Sequence, residues 1–135
     1  MNFLIDNNLT PALARAINEL SKPEGHRVIH LTERFPANTP DTDWITTLAS
    51  ENEWVVISQD KFTKGNAERI AFRESGLPIF CLAKQWGQES YWKKAHNLVR
   101  WWPAIIHQSE RISGGAAFRV SWRFIEPGKF EQIRI

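Results

Sequence analysis

The chain has 135 residues, a formal net charge of +2 and 42% hydrophobic residues, which is typical of one globular domain with its own core. A net charge this small does not by itself indicate a polyanionic partner. The evidence for a nucleic-acid site must therefore come from local clusters of basic residues. The single cysteine excludes an internal disulfide and favours a reducing, cytoplasmic location. No apolar run is long enough to cross a bilayer and no basic leader precedes the first strand, so we expect neither a membrane contact nor a secretion signal.

The first predicted element is a short strand at residues 3–5 that runs directly into Asp6. Its apolar residues do not alternate with polar ones, which is typical of a strand buried on both faces of a parallel sheet. A helix over about residues 9–22 and a second strand at 26–31 follow. This order predicts a βαβ unit with a right-handed crossover.

Acidic residues recur at two later positions that matter for a site. A helix capped by Thr39 is predicted next, and a second buried strand at 54–58 leads to Asp60. In the helix, Asp41 projects towards the apolar stripe and Asp43 nearly opposite, so Asp41 is better placed to point inward. Alternatively, both acids only complement the helix dipole in the first turn.

The second half of the chain predicts two further helices, one more strand and a hairpin. A helix is expected at 66–75 and a strand at 77–82, before a long helix that starts near Glu89. Pro103 should kink or break that helix. Two alternating runs around a turn at 126–129 predict a C-terminal β-hairpin.

The seven tryptophans are many for this length. Trp44 and Trp86 are candidates for stacking on single-stranded bases, although most tryptophans are largely buried and a core position is the more common outcome. Trp101 falls outside the apolar stripe of the long helix. We therefore expect exposed apolar positions near Trp101, which would contact a protein partner or a second copy of the chain.

Asp6, Asp41 and Asp60 are predicted to converge, because ligands of open α/β sheets bind beyond the carboxyl ends of the strands. Hard oxygen ligands of this kind suit Mg²⁺ or Mn²⁺, and three close carboxylates would repel one another without a cation. One or two such ions would activate a water and hold a phosphodiester. Asn7 and Asn8 either orient a carboxylate or a metal-bound water, or serve only as loop and cap residues.

A basic cluster follows Asp60 within one loop and helix, and it consists of Lys61, Lys64, Arg69 and Arg73. These side chains either hold phosphates and steer a polyanion or form an ordinary solvated helix face. The four histidines of the chain form no convincing set of metal ligands.

Three segments in this order and spacing resemble compact PIN-like proteins, the group that includes short PIN-type toxins of the VapC kind. They are Phe-Leu-Ile-Asp-Asn-Asn-Leu-Thr-Pro at 3–11, Pro-Asp-Thr-Asp-Trp-Ile at 40–45 and Val-Val-Ile-Ser-Gln-Asp at 55–60. Leu-Val-Arg-Trp-Trp-Pro at 98–103 is also similar to a subgroup. The resemblance covers about residues 1–112, and residues 113–135 are expected to be a strand-rich tail of the same domain.

The resemblance implies a three-layer α/β/α sandwich around a central, mainly parallel sheet. It also implies metal-dependent endoribonuclease activity and a toxin–antitoxin setting with a protein antitoxin. Position by position, Asp6 takes the first acidic role, Asp41 or Asp43 the second and Asp60 the third. Larger PIN domains carry a further acid near the third, where this chain offers only Glu68, and the number of metal ions stays open.

Two other functions are weighed against this one. The first is a non-catalytic RNA- or protein-binding module that keeps the fold with a weakened metal site. The second is a phosphoacceptor receiver domain, which shares the sheet type but has an acidic pair after its first strand. Because Asn7 and Asn8 occupy that position here, the receiver function is disfavoured.

Overall fold

The structure is a computed structural model that describes residues 1–59 and 66–134. The predictions made for Asp60, Lys61 and Lys64 lie outside these described residues. The strands are β1 (Asn2–Ile5), β2 (Arg27–His30), β3 (Trp54–Gln59), β4 (Ile79–Leu82), β5 (Ala117–Val120) and β6 (Glu131–Ile133). The α-helices are α1 (Pro11–Ser21), α2 (Asp41–Glu51), α3 (Asn66–Ser75) and α4 (Tyr91–Glu110).

All six of these strands belong to one sheet with the order β2-β1-β3-β4-β5-β6. Neighbours from β2 to β5 pair in parallel, and β6 pairs antiparallel with β5. β1 is an interior strand in this arrangement, and Phe3 is in register with Val28 on one side and Val55 on the other. The α/β fold with a mainly parallel sheet is therefore confirmed.

Helices cover both faces of the sheet, because successive residues of a strand point to opposite sides. Phe3 and Ile5 face α1 and α4 in one apolar cluster, whereas Leu4 faces α2 in a second cluster that also includes Phe72 of α3. A strand buried on both sides needs apolar residues at consecutive positions, which is why β1 shows no alternation.

The start of α2 differs from the prediction. Thr39 was expected to cap this helix, but the residue before Asp41 is Pro40 and no side chain caps it. The Thr39 hydroxyl instead donates to the Pro36 carbonyl at 2.7 Å. Short polar side chains often bond to nearby backbone in this way, and here that local bond replaces the cap. By contrast, Thr10 does cap α1, since its hydroxyl accepts from the Leu13 amide at 3.2 Å.

The long helix also departs from expectation, because α4 runs unbroken from Tyr91 to Glu110 with Pro103 inside it. Proline removes the hydrogen bond to the carbonyl four residues earlier. That carbonyl belongs to Val99, and both Val99 and Pro103 are exposed, so water can take the place of the lost donor. Of the two predicted outcomes, a kink or a break, the break is wrong for that reason.

The C-terminal hairpin is part of the sheet and covers one side of α4. Between β5 and β6, the chain brings Phe124 and Phe130 against Trp101, with ring centroids 5.0 and 5.2 Å apart. Trp101 is consequently 1% exposed, and the expectation that it lies on the surface is wrong. The apolar stripe predicted only the side of α4 that packs against the sheet. The C-terminal tail buries a second side of the helix, the one that carries Trp101.

Within the described residues, no helix combines the length and the apolar character that crossing a membrane requires.

Candidate active site

Asp6 is a buried carboxylate that emerges directly from the end of β1. Its exposure is 2%. One carboxylate oxygen accepts a hydrogen bond from the Ser58 hydroxyl at 2.9 Å, and the other accepts one from the backbone N–H of Asn7 at 2.6 Å. Transfer of a charged carboxylate out of water is costly unless hydrogen bonds or a cation compensate for it. These contacts fix the orientation of the group at the carboxyl edge of the sheet.

The side of the sheet on which Asp6 lies follows from strand alternation. Leu4 belongs to the cluster below α2 and α3 together with Val56 of β3. Asp6 and Ser58 each lie two residues further along their strands, so they point to that same side. Open α/β sheets bind their ligands in the crevice beyond the carboxyl ends of the strands, which is where Asp6 lies.

Asp41 lies at the first residue of α2, at the same edge of the sheet. One of its carboxylate oxygens accepts from the indole nitrogen of Trp44 at 2.9 Å. The Trp44 ring is fully buried and meets Phe72 of α3 edge-on at 5.7 Å. Asp41 is half-buried, whereas Asp43 is exposed. The core therefore holds Asp41, the inward-pointing acid of the helix, in one orientation.

The amides after Asp6 have different contacts. The Asn8 side chain donates to the Gln59 carbonyl at 3.0 Å and thereby joins the ends of β1 and β3. The Asn7 side chain is exposed, and the contact of this residue to Asp6 comes from its backbone. Asn8 thus contributes to the site by holding two strand ends together, the loop role that the sequence left open.

Arg69 is the member of the predicted basic cluster whose surroundings point to an anion. It lies in the first half of α3, is half-buried, and its Nε has no hydrogen-bond partner among the described residues. A buried guanidinium N–H without an acceptor carries a free-energy penalty that a phosphate oxygen would remove. Arg73, one helical turn later, is exposed.

The donors at this edge agree in kind with a hard divalent cation, because Asp6, Asp41 and Ser58 offer oxygen atoms. Within residues 1–59 and 66–134, no three His, Cys, Asp or Glu side chains form a metal-binding cluster. The third predicted acid, Asp60, lies outside that part of the chain. The described residues therefore provide one fixed buried carboxylate and a second, oriented one, and the complete ligand set stays a prediction.

A large cavity opens elsewhere, at the amino ends of the strands. Its volume is about 610 Å³, and its lining includes Met1, Asn52, Glu53 and Gly76. Glu53 is the one carboxylate of that lining, and it already accepts from the Asn2 side chain at 3.4 Å. The cavity offers no set of acids comparable with Asp6 and Asp41, so its size does not make it the better catalytic candidate.

Ser58 is a site residue that the sequence analysis missed. Its signal was a polar side chain inside an otherwise buried run, two positions after Val56 and therefore on the face of Asp6.

The two tryptophans considered for base stacking do not serve that purpose, because Trp44 and Trp86 are fully buried. His30 is also buried, and its ring bonds to the Leu9 carbonyl at 2.7 Å.

Comparison with known protein families matches residues 1–84 to the family described as a PIN like domain. This segment is more than half of the chain and includes Asp6, Asp41 and Ser58. No curated protein and no solved structure matches the chain. The chain therefore belongs to the family of PIN-like domains, which have a nuclease-type fold.

Proposed function

We propose that this protein is a metal-dependent endoribonuclease in which Asp6, Asp41 and Asp60 act together. The observation that carries the proposal is the buried Asp6 carboxylate, held by Ser58 and Asn7 at the carboxyl edge of a PIN-like sheet. PIN-like domains are commonly nucleases, and a carboxylate fixed at this edge is what a hydrolase of phosphodiesters needs to hold a cation.

Each residue of the candidate site has a defined part in this proposal. Asp6 and Asp41 would hold Mg²⁺ or Mn²⁺ together with Asp60, while Ser58 and Trp44 orient the first two carboxylates through their hydrogen bonds. When bound, such an ion supplies activation of a water and neutralisation of charge at the phosphate. The unpaired Nε–H of Arg69 would donate to a backbone phosphate of the RNA, with Lys61 and Lys64 as further phosphate contacts.

The test is cleavage of RNA by the purified protein with Mg²⁺, with Mn²⁺ and with a chelator. Asp6→Asn keeps the shape of the side chain but removes its charge. We expect it to lower the rate by more than the roughly 10- to 100-fold typical for loss of a residue that only supports a metal ligand. Glu110→Gln, an exposed change at the far end of α4, is the matched control and should leave cleavage intact.

Cleavage that persists in the chelator and in Asp6→Asn would contradict the proposal. RNA binding without any cleavage, together with no uptake of Mn²⁺ by calorimetry, would instead assign the chain to the non-catalytic binding module.

The second acid can be assigned by the same assay. Because Asp41 is half-buried and fixed by Trp44 whereas Asp43 is exposed, we expect Asp41→Asn to abolish most of the cleavage and Asp43→Asn to retain it. The reverse order would make Asp43 the metal ligand.

We also propose a toxin role of the VapC kind in the cytoplasm, with a protein antitoxin as partner and self-association into a homodimer. This proposal is supported by the resemblance of the segments at 3–11, 40–45 and 55–60. Expression of the chain in a bacterial host should stop growth, and Asp6→Asn should relieve the arrest at equal protein level. Equal toxicity of the two proteins would contradict it.

A further inference from the structure

The first turn of α4 presents two aromatic side chains to solvent. Trp92 is 78% exposed and Tyr91 is 43% exposed. Their rings meet edge-on, with centroids 5.5 Å apart and an interplanar angle of 74°. A tryptophan exposed to this degree gains little from burial, so its large π-face is available to a ligand.

This aromatic pair lies at the edge of the sheet that carries Asp6. α4 runs antiparallel to β1, because Trp102 contacts the Phe3 ring at 5.0 Å and Ser109, later in the helix, lines the cavity at the amino ends of the strands. From Trp102 back to Trp92 an α-helix rises about 15 Å, whereas from Phe3 to Asp6 a strand rises about 10 Å. Trp92 therefore reaches just beyond the level of Asp6 at this edge, but on the opposite face of the sheet, since α4 packs on Phe3 and Ile5 whereas Asp6 lies on the face of Leu4.

Basic side chains accompany the aromatic pair. Lys93 follows in the same turn of α4, and Lys84 lies in the short turn between β4 and α4; both are exposed. Lys94 is half-buried one residue further on. The neighbouring acid, Glu89, lies within hydrogen-bond distance of the Gln85 side chain at 3.4 Å. The surface around the rings thus has a surplus of positive charge.

We propose that Tyr91 and Trp92 form a stacking surface for bases in a single-stranded part of the RNA substrate, with Lys84 and Lys93 at its phosphates. Exposed aromatic rings beside a cationic groove are the usual means of binding single strands, because every base has a face that can stack. The surplus of lysines favours a polyanion over an apolar helix of a protein partner. The inference rests on the proposed nuclease function and has the RNA strand cross the carboxyl edge of the sheet, from the face of Asp6 to the face of α4.

The experiment measures binding in an Asp6→Asn background, so that the RNA stays intact. The probes are a fluorescently labelled oligouridylate and an abasic oligomer with the same number of phosphates. We expect Trp92→Ala to weaken binding of the oligouridylate about tenfold, in the range measured for loss of one stacking residue, and to leave the abasic oligomer unaffected. Trp92→Phe should restore part of the affinity.

Ile125→Ala, a change at an exposed apolar residue of the tail, is the matched control and should change neither affinity. Equal affinity of Trp92→Ala and its parent for the oligouridylate would overturn the stacking surface. So would a loss of dimer by light scattering with unchanged RNA affinity, which would assign the rings to a contact between copies. If the wild-type chain cleaves RNA but Trp92→Ala changes neither binding nor cleavage, the stacking surface alone fails. If the wild-type chain neither binds nor cleaves RNA, the proposed function fails with it.

Discussion

At the scale of single residues, the site depends on how carboxylates are held. Asp6 is oriented by Ser58 and by backbone, and Asp41 is oriented by Trp44. Donors hold both oxygens of Asp6, whereas the Trp44 indole holds one oxygen of Asp41. Mutation of the residues that position the acids is therefore as good a test of the site as mutation of the acids themselves.

Removal of the Ser58 hydroxyl tests this positioning. We expect Ser58→Ala to lower RNA cleavage roughly 10- to 100-fold, the typical effect of losing a group that orients a metal ligand, while the fold is retained. Cleavage kinetics across a Mg²⁺ titration measure the effect, and a higher Mg²⁺ requirement should accompany it. Ser121→Ala, in which an exposed tail serine is changed, is the control. Unchanged kinetics in Ser58→Ala would show that Asp6 needs no such support.

A second residue-scale prediction concerns acid stability. The hydrogen bond from Arg34 and then the one from Trp54 lower the pKa of Glu51 from 4.5 to about 2. Because the pKa is lower in the folded chain, the stabilisation is fully present above about pH 4.5 and is lost as the pH falls towards 2. Urea midpoints measured across this window should fall more steeply in the wild type than in Glu51→Gln. Parallel curves for the two proteins would contradict the prediction, and Glu110→Gln should behave like the wild type.

At the scale of elements, α4 packs against both α1 and β1 on one face of the sheet. Its Trp102 indole donates to the Ser21 hydroxyl of α1 at 2.9 Å, and its ring contacts Phe3 of β1. The same helix carries the aromatic pair at its start and the buried Trp101 in its middle. α4 therefore sets the position of the proposed stacking surface relative to Asp6.

Two neighbouring residues of α4 provide a direct comparison. Leu98 is fully buried and Val99 is 41% exposed. We expect Leu98→Ala to lower the free energy of unfolding by about 2–5 kcal/mol, since it leaves a cavity in the core. Val99→Ala should change the free energy of unfolding by less than about 1 kcal/mol. Urea unfolding measures both, and equal losses would mean that α4 does not bury the face described here.

At the scale of the whole molecule, the C-terminal tail completes the sheet and the core. β5 pairs with β4, so β4 is not an edge strand. Phe130 lies between the rings of Phe80 and Trp101, with centroids 5.1 and 5.2 Å away. The family match ends at residue 84, yet residues beyond it bury aromatic side chains of both the sheet and α4.

The tail should consequently contribute to stability. We expect Phe130→Ala to lower the free energy of unfolding by about 2–3 kcal/mol, somewhat less than for a fully buried phenylalanine because the residue is half-buried. Ile125→Ala, in the exposed part of the same tail, is the control. A wild-type urea midpoint for Phe130→Ala would indicate that the tail only rests on a core that is stable without it.

Much of the fold was predictable because its signals are local. The unbroken apolar run before Asp6 predicted a strand buried on both faces, and helical periodicity separated the inward Asp41 from the outward Asp43. The errors arose where the surroundings of a residue, which the local pattern does not record, decided its role. Thr39 bonded to Pro36 instead of capping α2, exposure allowed α4 to continue through Pro103, and the tail buried Trp101.

The sequence by itself determined the order of strands and helices and the placement of Asp6 at the end of a buried strand, because periodicity and apolar runs are properties of neighbouring residues. Only the tertiary structure decided that Ser58 holds Asp6, that Trp101 is covered and that Trp92 is left in solvent. Burial of these side chains depends on which distant segment packs against them, and no local pattern records that choice.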